Sequence, residues 1–241
     1  MSLCENNLII NPKNKELFSL FFSMDCQLCG KVLVFQLGLC FQCYSKLLKS
    51  EEIWSNQNSP TLKLNELKIE VFSILNWSSD HFLNLTPWIV FLKTYQSMWA
   101  WRRLSDFIIE CELLKKLQVS YSKQELAFII IPSSTNRKHT HMMGHYLNKK
   151  MQISVFDILK FEHESVDYKS LKKTQRSNRK MKINEEITES ICEKLNELKC
   201  VVFIDDIVTT GNSIKAAKTA IDLFLNHKIN YYGLSLFYRA L

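Results

Sequence analysis

Val201-Val-Phe-Ile-Asp-Asp-Ile-Val-Thr-Thr-Gly-Asn-Ser213 joins an apolar run, two adjacent acids, a hydroxyl-rich turn with one glycine, and the start of an amphipathic stretch. Cys200 to Ile204 is apolar over a strand's length, the pattern of a strand buried on both faces of a parallel sheet. Ile214, Ala217, Ile221 and Leu225 then recur at helical spacing. At a helix start the first backbone N–H groups are unpaired and carry partial positive charge, so Thr209, Thr210, Gly211, Asn212 and Ser213 can cradle a phosphate. Gly211 permits close backbone approach. Asp205 and Asp206, leaving the carboxyl end of a parallel strand, lie where open α/β sheets bind ligands and can hold ribose hydroxyls or a magnesium ion. The blander reading, in which Thr210 or Asn212 caps the helix and the aspartates decorate a turn, predicts no ligand.

Working outward, Leu126 to Ile131, ending at Pro132, reads as a second buried strand; Leu67 to Leu75 suits a strand and Tyr231 to Tyr238 a closing one. Thr86-Pro87 opens a helical region through Trp88, Leu92, Tyr95, Trp99 and Phe107, with Trp101, Arg102 and Arg103 marking a bend or second helix. The tryptophans read as core. Ile183, Ile187, Ile191, Leu195 and Leu198 predict a further helix. Helix alternating with strand gives the α/β class, a parallel sheet flanked by helices.

The 241 residues suit one principal domain and a small module: 1–20 an N-terminal extension, 21–60 a cysteine module, 61–241 the main domain. With 46% hydrophobic and 23% charged residues the chain is not of disordered composition. No apolar run approaches the roughly 20 residues of a membrane span, and no basic, cleavable leader is evident. A cytoplasmic location is the expectation.

Cys26-Gln-Leu-Cys29 and Cys40-Phe-Gln-Cys43 are two CxxC knuckles with ten residues between them. Four thiolates close a tetrahedral zinc site with no open position, which predicts a structural and not a catalytic metal. Zinc binding can supply roughly 10–16 kcal/mol to a segment too small to bury much core; an iron–sulfur cluster is the rival occupant. Cys4, Cys111, Cys192 and Cys200 lack such pairing and read as small hydrophobes.

The net charge of +7 is matched by one stretch, Lys169 to Lys182, which holds seven basic and no acidic residues. It is either a solvated loop or a cationic arm for phosphate or nucleic acid.

The strand, paired acids and TTG turn resemble the phosphoribosyl-pyrophosphate signature of type I phosphoribosyltransferases. With CQLCG and LCFQC at the knuckles, and a Phe91-Leu-Lys-Thr-Tyr95 segment similar to a central LKY stretch, the chain from Cys26 to Leu241 resembles the ComF family of competence proteins. The family's PVP-type strand end and RGFNQ-like element correspond here to Ile130-Ile-Pro132 and Arg137-Lys-His-Thr-His-Met-Met-Gly-His145, where Pro132, Arg137 and general basicity carry over. Leu171 and Arg176 fit a later LxxxxR element; its asparagine would fall at Arg179, with Asn178 one residue early.

The resemblance implies a type I phosphoribosyltransferase-like fold that binds phosphoribosyl pyrophosphate with magnesium. Asp205 and Asp206 would orient the sugar, Thr209 to Ser213 would hold the 5′-phosphate, and Arg137, Lys172, Lys173 and Arg176 would meet the pyrophosphate as part of a closing loop. It also implies a role in natural transformation, with incoming single-stranded DNA and a DNA translocase as partners, and a homodimer. Two classes stay open: a phosphoribosyltransferase with an unknown acceptor, and a non-catalytic DNA-handling factor that uses the fold for binding or regulation.

Overall fold

The structure, a computed structural model, describes residues 26–31, 39–49, 61–77, 85–95, 98–133, 138–162 and 180–239. Helix α1 is Phe41–Lys49; β1 (Leu62–Leu64) and β2 (Ile69–Asn76) follow, then α2 (Thr86–Tyr95), α3 (Met98–Ile109) and α4 (Glu112–Ser120). Next come β3 (Leu126–Ile130), α5 (His139–Met151), β4 (Ser154–Phe156), β5 (Leu159–Phe161), β6 (Met181–Ile183) and α6 (Glu189–Asn196). The chain closes with β7 (Cys200–Val208), α7 (Asn212–Phe224) and β8 (Asn230–Tyr238).

Six strands form one sheet in the order β1-β2-β8-β7-β3-β4, parallel throughout except for β1, which pairs antiparallel with β2. This is the α/β sheet flanked by helices that the apolar runs predict. In β7 the alternation sorts side chains to two buried layers. Cys200, Val202 and Ile204 join Trp88, Trp101, Leu114 and Met143 from α2, α3, α4 and α5. Val201 and Phe203 face Leu195, Ile214, Ala217 and Ile221 from α6 and α7. Burying one side chain of this size stabilises by about 1.5–3 kcal/mol, so a strand apolar on both faces is held from both sides.

Gly233 decides how closely α7 docks. A Cβ there would stand 2.7 Å from Ile214 Cδ1 and 3.0 Å from both Val71 methyls. Only hydrogen fits in that space.

One local reading changes. Ile183 does not begin a helix: it ends β6 and pairs with Leu159 of β5, and α6 starts only at Glu189. The antiparallel ribbon β5–β6, closed by Asn184 N–H donating to Ile158 O at 2.7 Å, buries Leu159, Phe161 and Met181 and so outcompetes helical continuation. In the tryptophan-rich region Trp101, Arg102 and Arg103 lie inside a second helix, α3, which starts at Met98. Trp88 and Trp101 are core as expected, both fully buried; the Trp99 side chain lies outside the described residues. So do the 1–20 extension and nearly all of the boundary between Ser50 and Leu62. No helix among the described residues is long and apolar enough to cross a membrane.

Candidate functional site

Strands β3 and β7 are neighbours, yet β3 leads through α5 to β4 at one edge while β7 leads through α7 to β8 on the other side. Connections that depart in opposite directions leave a crevice at the carboxyl ends of the two strands, the usual ligand site of open α/β sheets. On the β3 side pairing stops at Ile130↔Ile204, with Ile131 N–H donating to Ile204 O at 3.0 Å. On the β8 side it continues through Ile207↔Phe237 and Val208↔Tyr238. Asp205 and Asp206 therefore sit just past the point where β3 leaves the sheet, within β7 and not beyond its end.

The two acids are tied together, because Asp206 N–H donates to Asp205 Oδ1 at 2.8 Å. Burial, and then the neighbouring Asp206 carboxylate, push Asp205 well above the usual carboxylate range. Asp206 has a partner from another element: Lys93 Nζ of α2 stands 2.8 Å from its Oδ2, with side chains 24% and 14% exposed. Asp205 pairs in register with Ser235, which pairs in turn with Ser73, and the two buried serine hydroxyls lie 2.7 Å apart. A polar row thus crosses three strands behind the acids.

Thr209, Asn212 and Ser213 are half-buried, Thr210 is exposed and Gly211 is buried at the turn into α7. Gly211 takes φ +72° as the residue before the helix, and no side chain caps the first turn. Thr210 and Asn212 therefore do not act as caps. A Cβ on Gly211 would meet Leu64 at 3.0 Å and Leu62 at 3.1 Å, so the glycine serves both the left-handed backbone of the turn and its packing against β1.

Across the crevice α5 begins directly after the β3 loop. Thr140 Oγ1 donates to Ile131 O at 3.3 Å, and His141 Nδ1 lies 3.1 Å from Asp157 Oδ2 beyond β4. The hydrogen bond to Asp157 raises the His141 imidazole above its ordinary range. At the β2–β8 end of the rim, Trp77 Nε1 donates to Thr86 Oγ1 at 3.0 Å, and the Arg239 guanidinium stacks over the Trp77 ring at 4.6 Å. Arg137, Lys172, Lys173 and Arg176 lie outside the described residues. A groove of about 420 Å³ bordered by Lys63, Asn65, Lys68 and Tyr232 opens at the opposite, amino-terminal ends of β2 and β8 and takes no part in this site.

The sequence reading left Lys93, the Trp77–Thr86–Arg239 group and the His141–Asp157 pair without roles. For Lys93 there was a signal. It is the single charged residue in the apolar helix Thr86–Tyr95, and a lone cation on such a helix calls for a partner.

The second constellation is the cysteine cluster. The Sγ atoms of Cys26, Cys29, Cys40 and Cys43 all lie within 4.8 Å of one another, with Cys29 and Cys40 at 3.6 Å. Four sulfurs about 2.3 Å from a tetrahedral zinc stand roughly 3.8 Å apart, so the set fits a metal ion. Burial and the three neighbouring thiols drive Cys43 upward; thiols this close cannot all ionise without a cation among them. Gly30, at φ +69°, turns the first knuckle, with its N–H donating to Cys26 O at 2.8 Å. Cys26, Leu39, Cys40 and Cys43 belong to the same buried cluster as Trp88 and Trp101. Cys111 and Cys200 are buried elsewhere, their thiols pushed up by that burial to about 11 and about 12.

On the acid pair, one oxygen of Asp206 binds the Lys93 ammonium and one oxygen of Asp205 accepts the Asp206 amide. Compared with protein-family models and with curated proteins, the chain matches neither.

Proposed function

We propose that the chain binds phosphoribosyl pyrophosphate in the crevice between β3 and β7, as a type I phosphoribosyltransferase-like domain carrying a structural zinc on Cys26, Cys29, Cys40 and Cys43. One observation carries the reading. The paired acids lie just past the end of β3 pairing, and the helix that follows starts at a left-handed glycine with no side-chain cap. Its first N–H groups are available to a phosphate, and the carboxylates stand where sugar hydroxyls attached to that phosphate would fall.

Transfer from this donor breaks the bond between the anomeric carbon and a pyrophosphate oxygen and forms one to an acceptor atom. Positioning and electrostatics carry most of such a step. The part in natural transformation, with single-stranded DNA and a translocase as partners, follows from the ComF resemblance and from the basic stretch between β5 and β6.

Calorimetric titration with ribose 5-phosphate and with phosphoribosyl pyrophosphate, each with and without magnesium, tests the binding. Wild type should bind both, and Asp205→Asn with Asp206→Asn should weaken both by at least tenfold while circular dichroism is unchanged. No heat with either compound at millimolar concentration defeats the reading. Pyrophosphate release with and without single-stranded DNA then separates an enzyme from a binding factor.

A further inference from the structure

We infer that Cys29 is an oxidative modification site: its thiolate is the one a hydroperoxide attacks first, Cys40 resolves the product as a disulfide between the two knuckles, and the zinc is released. The inference rests on the structural zinc proposed above and adds a reaction of its ligands.

The four sulfurs are not equivalent. Cys26, Cys40 and Cys43 are buried, whereas Cys29 is exposed. Hydrogen bonds sort them further. Backbone N–H groups of Cys40, Leu28 and Cys29 donate to the Cys26 sulfur, and the Cys43 N–H donates to Cys40 Sγ at 3.5 Å. Such donors draw charge from a thiolate and make it a poorer nucleophile. Among the described residues the Cys29 sulfur accepts no backbone N–H; its hydrogen-bond contact is the Cys40 sulfur. A thiolate that faces solvent and lacks donors is the one an oxidant meets.

The partner is set by distance and by the backbone. Cys40 Sγ lies 3.6 Å from Cys29 Sγ, on the other knuckle. Cys26 is held instead by the amides of its own turn, and its N–H donates to Lys31 O at 2.7 Å. The knuckles are joined by more than a metal. The Cys40 N–H reaches the Cys26 sulfur, and Lys31 Nζ donates to Gln42 Oε1 at 3.1 Å. Cys29 and Cys40 therefore stay together once Cys29 has left the zinc.

The electron count closes. The Cys29 sulfur attacks a peroxide oxygen, so that an S–O bond forms, the O–O bond breaks, and the leaving oxygen takes a proton. The Cys40 thiolate then attacks the sulfenic sulfur; the S–S bond forms, the S–O bond breaks, and hydroxide leaves as water after protonation. Two thiolates lose two electrons and the peroxide gains them. A zinc left with two of its four thiolates dissociates. Because Cys26, Leu39, Cys40 and Cys43 share one buried cluster with Trp88 and Trp101, the change reaches the core of the main domain.

The test treats the zinc-loaded full chain with excess hydrogen peroxide after reductant is removed. A chromogenic chelator should report about one zinc released per disulfide formed, non-reducing peptide mass spectrometry should find the Cys29–Cys40 link, and dithiothreitol with added zinc should reverse both. Cys29→His, which keeps a zinc ligand, should release its metal at least about tenfold more slowly. Timed alkylation of wild type by iodoacetamide needs no variant and carries the test if Cys29→His holds no zinc; Cys29 should be labelled ahead of the other three. Zinc retained under peroxide, a disulfide confined to one knuckle, equal release from Cys29→His, or first labelling at a buried cysteine would overturn this inference alone. Purified protein without zinc would overturn the metal assignment and this inference with it.

Discussion

Gly233→Ala should damage the crevice from behind. The new methyl would stand 2.7 Å from Ile214 Cδ1 and 3.0 Å from the Val71 methyls, and Ile214 is fully buried in the first turn of α7. Overpacking of this kind costs about 1–3 kcal/mol, offset by roughly 0.5–1 kcal/mol because alanine has less unfolded-state freedom than glycine. The expected net loss is about 1–2 kcal/mol, or a fall in Tm of roughly 2–8 °C for a chain of this size. Ile214→Val removes the nearest atom and alone should cost about 0.5–1.5 kcal/mol. In the double variant the two losses should fall short of their sum by about 1 kcal/mol. Urea unfolding followed by circular dichroism reads all four proteins, and ribose 5-phosphate affinity should weaken in Gly233→Ala because α7 can yield only by moving outward. A neutral or stabilising Gly233→Ala, or strict additivity with Ile214→Val, would refute the close docking of α7 as the cause.

Purified protein should hold one zinc per chain, lost in Cys26→Ser and Cys40→Ser. Because Cys26, Cys40 and Cys43 share a buried cluster with Trp88 and Trp101, chelation should also lower the main unfolding transition; stoichiometric zinc surviving both substitutions would end the assignment. The His141–Asp157 pair predicts a pH effect whose sign is fixed. The folded pKa of His141 lies above its ordinary value of 6.5, so the pair's contribution is full below that value and is lost as pH rises through the folded pKa. At this partial exposure it should amount to less than about 1 kcal/mol, and NMR titration should find the His141 pKa lower in Asp157→Asn.

The parts of the fold legible in the sequence are those where burial on both faces leaves no choice of side chain. β3, β7 and the strand–turn–helix at Asp205 are of that kind. β1 and β4, three residues each, carry too few positions for any period to show. Ile183 misleads because it falls on the same helical spacing as Ile187 and Ile191 while its partner, Leu159, belongs to another strand. The acid pair was readable as chemistry, but its ion-pair partner was not, since the Lys93 ammonium is delivered by a helix far away along the chain. The Ser73–Ser235 row was hidden for the same reason: neither serine is distinctive until the register of β2 and β8 sets them side by side.

A parallel sheet sends every helix-leading connection to one edge, and here that edge has a single place among the described strands where neighbouring connections part. Around it stand the first turn of α7 on one side, the first turn of α5 with its His141–Asp157 pair on the other, and between them two acids, of which Asp206 already holds a counter-cation. Each part alone has a bland explanation. A helix start attracts any anion, and two acids beside a lysine are an ordinary ion pair. Their order is harder to explain blandly, because it alternates an anion-favouring end, a pair of acids and a second anion-favouring end. A pentose phosphorylated at both ends presents the complementary series of phosphate, diol and phosphate. That match supports phosphoribosyl pyrophosphate over a ligand with a single phosphate, and it predicts that binding should strengthen markedly from ribose 5-phosphate to the pyrophosphorylated sugar even before magnesium is added.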